Sequence, residues 1–413
     1  MKINKNIWTG KNKPYNRNSL YFPDGVNSGG TTPAPMPSAP IAENDVTFYD
    51  YDGTVLYAYT WEEALAMTEL PPLPTRKGLI CQEWNYTLED IKAQNGKCNI
   101  GANYITDDGK TRLRIQVPDN RNIDLEYIQS VSNGVVVDWG DGSPTETFSD
   151  EEVYASHIYK EQGEYVITLE VVSGTIQLGI DYSILGGFDA SYQCLREVNM
   201  GSNIHIPGGY DGYTLNYTCG VEKISIPAIG EIGNSIDYCS LLAAVLPRGC
   251  TAPPSLALLR QLRVVSLPNT MTEVSLEFVK GGYLRRAIIP ESVTDIKDDA
   301  FGSALALQEV HLSSNIITIG RRAFTDLFTV DYIKMPKALK YIESNAFKNT
   351  SIALFDFSDC IQVPSLASSD SIQGRNHKII VPDNLYDQWI AATNWSAIAG
   401  QIIKKSDWDA LNA

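Results

Sequence analysis

Two rhythms of apolar residues run along the chain. Over residues 111–175 the period is two. In TRLRIQV, Leu113, Ile115 and Val117 alternate with Arg112, Arg114 and Gln116. In NIDLEYI, Ile123, Leu125 and Tyr127 alternate with Asp124 and Glu126, and in EYVITLEV, Tyr165, Ile167, Leu169 and Val171 share one side. Alternation broken by turns predicts antiparallel strands with one covered and one wet face, and so a β-sandwich. Upstream, VTFYDYDGTVLYAY (residues 46–59) predicts a hairpin turning at Asp52-Gly53. Thr60-Trp61-Glu62-Glu63 is a capping box that predicts a short helix through EEALAM, broken by LPPLP. Thr87-Leu88-Glu89-Asp90 predicts a second short helix ended by Asn95-Gly96, and ANYITDDGKTRLRIQV predicts a hairpin at Asp108-Gly109.

The second rhythm is longer. Aligned on residues 201, 227, 247, 268, 290, 313, 336 and 358, the chain repeats every 20 to 26 residues. Six before each anchor stand Leu195, Val221, Leu241, Leu262, Leu284, Leu307, Val330 and Ile352. Three before stand Val198, Ile224, Ala244, Val265, Ala287, Val310, Ile333 and Phe355; one before stand Met200, Ile226, Leu246, Leu267, Ile289, Leu312, Met335 and Phe357. The clearest copies continue into Ala300-Phe301, Ala323-Phe324 and Ala346-Phe347. That period belongs to a leucine-rich-repeat solenoid, in which one coil cannot bury its own apolar side and stacked coils share a core. The fold expected is multidomain and mainly β: an extended arm (1–45), a small α+β module (46–110), an immunoglobulin-like sandwich (111–180), a repeat solenoid (181–383) and a C-terminal cap (384–413).

Charge changes the reading of the arm. The whole chain carries −16, yet residues 1–41 hold five cations against Asp24, a net of +4 that leaves −20 for the rest. The acidic body disfavours nucleic-acid wrapping. The arm is rich in Gly, Ser, Thr and Pro after a basic stretch with Trp8, Tyr15, Arg17, Tyr21 and Phe22. It reads either as a disordered leader or as an anchor that orders on a partner. After its first lysines no apolar core of signal-peptide length follows, and no apolar run approaches a membrane span. The expectation is assembly in a host cytoplasm with release by lysis, and no membrane insertion. Seven cysteines without a C-x-x-C pair read as buried thiols, with a disulfide framework or a zinc site as the alternative.

Three segments resemble known families. LRRAIIPESVTDIKDDAF (284–301) is similar to the BspA-type leucine-rich repeat, closely over 284–347 and loosely over 195–268, where the Ala-Phe element is lost. Trp139-Gly140-Asp141-Gly142, His157-x-Tyr159 and Gly163-x-Tyr165-x-Ile167-x-Leu169 resemble a PKD (polycystic kidney disease-type) domain, which implies an immunoglobulin-like spacer or binding module. Residues 46–110 resemble a module that recurs in virion proteins of gut phages ahead of such domains.

Asp50-Tyr51-Asp52-Gly53-Thr54 also resembles the D-x-D-G-T opening of haloacid-dehalogenase-type phosphatases. That chemistry needs a central parallel strand, alternating α/β units and converging Ser/Thr, Lys and acidic groups. The run after Thr54 is strand-like and no βαβ alternation follows, so the turn explains Asp52-Gly53 better. Asp138 and Asp141 read as turn caps over a calcium cage, and the four histidines make no ligand pair. No catalytic residue, metal or cofactor is expected. What remains is surface. Residues two before each anchor should project from the stacked strands as a ladder: Asn199, Ser225, Val245, Ser266, Ile288, His311, Lys334 and Asp356. It reads as solvated surface or as a binding face. The chain is thus expected to be a non-enzymatic phage structural protein, in head or tail fibre. It would be fixed to other virion proteins through residues 1–45, homo-oligomeric, and in contact with host glycan or surface protein. A bacterial surface adhesin is the alternative.

Overall fold

A computed structural model describes residues 45–118, 121–129, 134–149, 152–179, 194–205, 220–228, 240–251, 255–374 and 377–412. Trp8, Tyr15, Arg17, Tyr21 and Phe22 lie outside them, as do Cys219 and Cys239.

The N-terminal module holds β1 (Val46–Tyr49), β2 (Val55–Tyr59), α1 (Trp61–Ala66), β3 (Leu79–Trp84), α2 (Leu88–Lys92) and β4 (Cys98–Thr106). Its sheet runs β2-β1-β4-β3, with β1 parallel to β4 and the other pairs antiparallel. The β1–β2 turn closes through Gly53 at φ +86°, a left-handed position that glycine takes without steric cost. Thr60 and Thr87 both make reciprocal capping boxes, with Glu63 and Asp90, which is why such short helices persist. Phe48, Trp84, Ile100 and Tyr104 are among the side chains of a core separate from the rest of the molecule.

The chain does turn at Asp108-Gly109, but the hairpin expected there does not form. β4 is already paired on both edges by β1 and β3. The next strand, β5 (Thr111–Val117), enters a different sheet.

That sheet belongs to the sandwich. β6 (Arg121–Gln129), β7 (Val135–Asp138), β8 (Glu146–Phe148), β9 (Glu152–Tyr159), β10 (Gly163–Val171) and β11 (Ile176–Gly179) follow β5. They are joined by β12 (Leu195–Asn199), β13 (Ile204–His205) and β14 (Lys223–Ser225). The two sheets have orders β14-β12-β5-β10-β7-β8 and β13-β11-β6-β9. Leu113, Ile115, Val117, Ile123, Val137, Ile167 and Leu169 fill the space between them, as the period of two requires. Tyr159 donates its hydroxyl to the Trp139 carbonyl at 2.7 Å, and His157 stacks on Trp139 with ring centroids 4.9 Å apart. β12 lies antiparallel on β5, and β14 lies parallel on β12. The β5 edge of the sandwich is therefore taken up by the first coils of the solenoid.

In the solenoid all 24 apolar positions named from the repeat are buried. Parallel pairs join successive coils at Ala244 and Val265, at Ala287 and Val310, and through Ile333, Phe355, Ile379 and Ile402. A second ladder runs through Val274, Ile296, Ile319, Ile342 and Leu366. Between the ladders Phe301, Phe324 and Phe347 stack with centroids 5.0 and 5.1 Å apart, the repeat distance of the coils themselves. Each coil bends through a left-handed residue just before the Ala-Phe pair, at Asp299, Arg322 and Asn345, and again at Ser303, Asp326 and Asn349. The strand Ile402–Lys404 carries the parallel ladder into the C-terminal segment. There α3 (Tyr386–Ala391) and the chain after it bury Trp389 and Trp395 against Phe357, and α4 (Lys405–Asn412) packs on the strand Lys378–Val381. Among the described residues no helix is long and apolar enough to cross a membrane.

Candidate binding surface

The strand face of the solenoid was expected to offer an uninterrupted ladder. Most of it is covered from within the same chain. β4 has two faces: Cys98, Ile100, Ala102 and Tyr104 point into the module core, while Asn99, Gly101 and Asn103 are buried on the other side. That second face lies on the solenoid strands. Asn85 Nδ2 donates to the Leu246 carbonyl at 2.9 Å and to Ser266 Oγ at 2.9 Å. Asn99 and Asn103 donate to the carbonyls of Val265 and Ile226, each at 3.2 Å. Asn99 and Asn103 meet carbonyls at places where neighbouring coil strands fall into separate short sheets. Gly101 permits the approach, since a Cβ there would lie 2.3 Å from Val245 Cγ1. Tyr49 packs with Ala243 and Val264 in a small apolar seam.

The ladder residues therefore have unequal fates. Asn199 is half-buried and donates to Glu197. Ser225 is fully buried and its Oγ accepts from the Met200 backbone. Ser266 is fully buried and donates to the Asn99 carbonyl at 2.8 Å. Neither serine can meet an external partner, which corrects the expectation of an open ladder. Val245 and Ile288 are also buried. His311 is tied to the Asn95 carbonyl at 2.8 Å, and burial is the main cause of its lowered pKa. Asp356 is 8% exposed, accepting from the Tyr332 hydroxyl at 2.9 Å and from the Ser358 backbone. Lys334 alone of the six ladder residues proposed for binding is well exposed, in an ion pair of 2.7 Å with Asp359.

The open stretch starts where the module stops. A groove of about 1250 Å³ has Asn95 and Lys97 of the module on one wall and Gln308, His311, Phe328, Tyr332 and Lys334 of the solenoid on the other. Lys97 pairs with Glu309 at 2.8 Å across the junction. Phe328 and Tyr332 are 51% and 47% exposed, which is high for large apolar rings lining a groove. Sequence reasoning missed both. Their signal was an apolar residue at an offset that the repeat does not bury.

The aspartates singled out from the sequence have structural work. Asp50 is buried and accepts from Arg76 Nε at 2.8 Å, and Asp52 accepts from Arg76 Nη2 at 3.1 Å. Burial opposes ionisation of Asp52, but hydrogen bonds from Thr54 and the charges of Arg76 and Lys223 outweigh it and lower its pKa. Asp138 caps the turn at Gly140. For Asp141 burial again pulls upward, and hydrogen bonds from Ser143 and His157 hold its carboxyl down at about 2. Cys81, Cys98 and Cys360 are free thiols whose pKa values are raised by burial, to about 12 for Cys81 and Cys360. Among the described residues no group of three His, Cys, Asp or Glu side chains could hold a metal.

No protein of curated function matches the chain. A leucine-rich repeat protein from Bacteroides ovatus is similar at 18% identity and a TM-score of 0.40, over 61% of this chain and 70% of that one. A leucine rich cell surface protein from Faecalibacterium prausnitzii is similar at 16% identity and a TM-score of 0.25, over 54% of this chain and 78% of that one. Residues 254–372 match the BspA type leucine rich repeat region in six copies. With parallel coil strands and stacked phenylalanines in the same stretch, this part of the chain is a BspA-type leucine-rich-repeat solenoid.

Proposed function

We propose that the chain is a non-enzymatic surface-binding repeat protein. The observation that carries this reading is the open stretch of strand face at Tyr332 and Lys334, bordered by the module on one side and followed by α4 on the other. The module and sandwich serve as a rigid mount for it. The ion pairs that Arg76 makes with both carboxylates support a structural role for Asp50 and Asp52.

In its finer form the proposal places the chain on a tailed-phage particle. Residues 1–45 would dock on other virion proteins through Trp8, Tyr15, Arg17, Tyr21 and Phe22, and the open coils would meet host glycan or surface protein. The basic, aromatic arm on an acidic body supports this, as does the resemblance of residues 46–110 to a gut-phage module. Many copies per particle, each weak, would add avidity. The repeats matched over 254–372 fit a second reading equally well, a bacterial surface adhesin.

Mass spectrometry of purified particles, set beside surface labelling of uninfected cells, separates the two. Stoichiometric presence in particles is expected. Labelling on uninfected cells with none in particles would give the chain to the adhesin class. Deleting residues 1–44 should abolish incorporation and leave a soluble fold; normal incorporation would remove the anchoring role.

A further inference from the structure

We infer that the open coils bind a neutral oligosaccharide, laid along the row of coils that ends at Phe328, with Tyr332 beside it in the same groove. The inference rests on the surface-binding reading and names the ligand class for it. Three observations lead there.

Tyr332 gives its hydroxyl to the largely buried Asp356, so its ring is held at a fixed tilt with one part open to the groove. Phe328 lines the same groove. The weakly positive C–H face of a pyranose packs well on the negative face of an aromatic ring.

Phe328 also ends a row. Gly281, Ser303 and Asp326 are the equivalent left-handed residues of three successive coils. Two residues beyond each stand Tyr283, Leu305 and Phe328, exposed by 43%, 46% and 51%. Equivalent positions on neighbouring coils lie about 4.8 Å apart. That is close to the advance of one ring along a linear glycan. The same turn position thus leaves a large apolar side chain uncovered, in line, on three coils running.

The groove is lined by Lys97, Lys334 and Lys337 against Glu291, Glu309, Asp331 and Asp359, so it holds no excess of positive charge. Lys97 pairs with Glu309, Lys334 with Asp359, and Glu291 accepts from the Ser314 backbone and hydroxyl. Two of the three cations are thus already paired and the carboxylates outnumber the cations, so the groove repels an anionic ligand more than it holds one. A protein partner is disfavoured by size. The opening is a groove walled by Asn95 and Lys97 on one side and by the coils on the other, not the broad face of about 800 Å² per partner that a stable protein interface uses.

The test uses the full chain and neutral oligosaccharides of glucose, mannose and N-acetylglucosamine, read by saturation-transfer NMR and calorimetry. At least one should bind. Tyr332→Ala or Phe328→Ala should weaken it about tenfold or more. Tyr341→Ala, an exposed ring on the opposite ladder, should leave it unchanged. All three positions are surface sites, so the fold should persist, checked by far-UV circular dichroism. No binding across the panel overturns the inference, and so does binding indifferent to both groove variants. Cell binding lost after protease but not after periodate also overturns it, while the surface-binding reading stands. Failure to bind untreated host cells removes both.

Discussion

His311 marks the point at which the strand face passes from covered to open, and its protonation state bears on that boundary. The neutral ring donates from Nε2 to the Asn95 carbonyl of the module at 2.8 Å. Burial is the largest influence lowering its pKa, and Lys97 pushes the same way. The Asn95 carbonyl, Glu291 and Glu309 pull upward and do not prevail. The unfolded chain therefore takes up this proton more readily than the folded one. The resulting stability is complete above the unfolded value of about 6.5 and is lost as pH falls towards the lower folded value. Urea midpoints should drop between about pH 7.5 and about pH 5.5, bracketing the ordinary imidazole pKa. His311→Asn keeps a donor and takes up no proton, so its drop should be smaller. Equal drops in the two proteins would place the pH dependence elsewhere.

At the scale of elements, β4 decides whether module and solenoid form one body. Its outer face is Asn99, Gly101 and Asn103, small and amide-bearing, matched to the carbonyls and to Val245 beneath it. Gly101→Val would drive methyl groups into Val245. Overpacking of this kind costs about 1–3 kcal/mol. The expected result is a lower melting temperature and faster proteolysis at the module, with far-UV dichroism of the solenoid retained. An unchanged melting temperature would mean that the seam yields freely. The same strand shows what a sequence reveals. The 24 repeat positions were legible because the period is local and each copy supports the others. The turn at Asp108-Gly109 was legible too, but not its strand partners, because pairing is settled by edges that residues far along the chain occupy. The outward direction of Ser225 and Ser266 followed from the two-residue alternation, yet what lay over them depended on a strand more than a hundred residues upstream. A hint did stand in CNIGANY: amides and glycine alternating with core residues mark a strand covered on both faces.

For the whole molecule the decisive fact is a continuous apolar core from Leu113 in the sandwich to Ile402 in the last coil strand. Repeat arrays often unfold piecemeal, because each coil touches only its neighbours. Here one end of the array is sealed by sheet continuity with β5 and the other by Trp389 and Trp395. Neither end can fray without exposing a large core, so the array should unfold with the sandwich as one unit. Phe324→Ala tests this from the middle. Its ring is fully buried between Phe301 and Phe347, and removing it should cost about 3–5 kcal/mol. In a single cooperative unit, hydrogen exchange should quicken by the same factor in the slowest amides of β10 and of the strand Lys378–Val381, far from the cavity in both directions. Quickening confined to the coils next to residue 324 would show independent coils, and the sandwich would then be a neighbour of the solenoid and not its first layer.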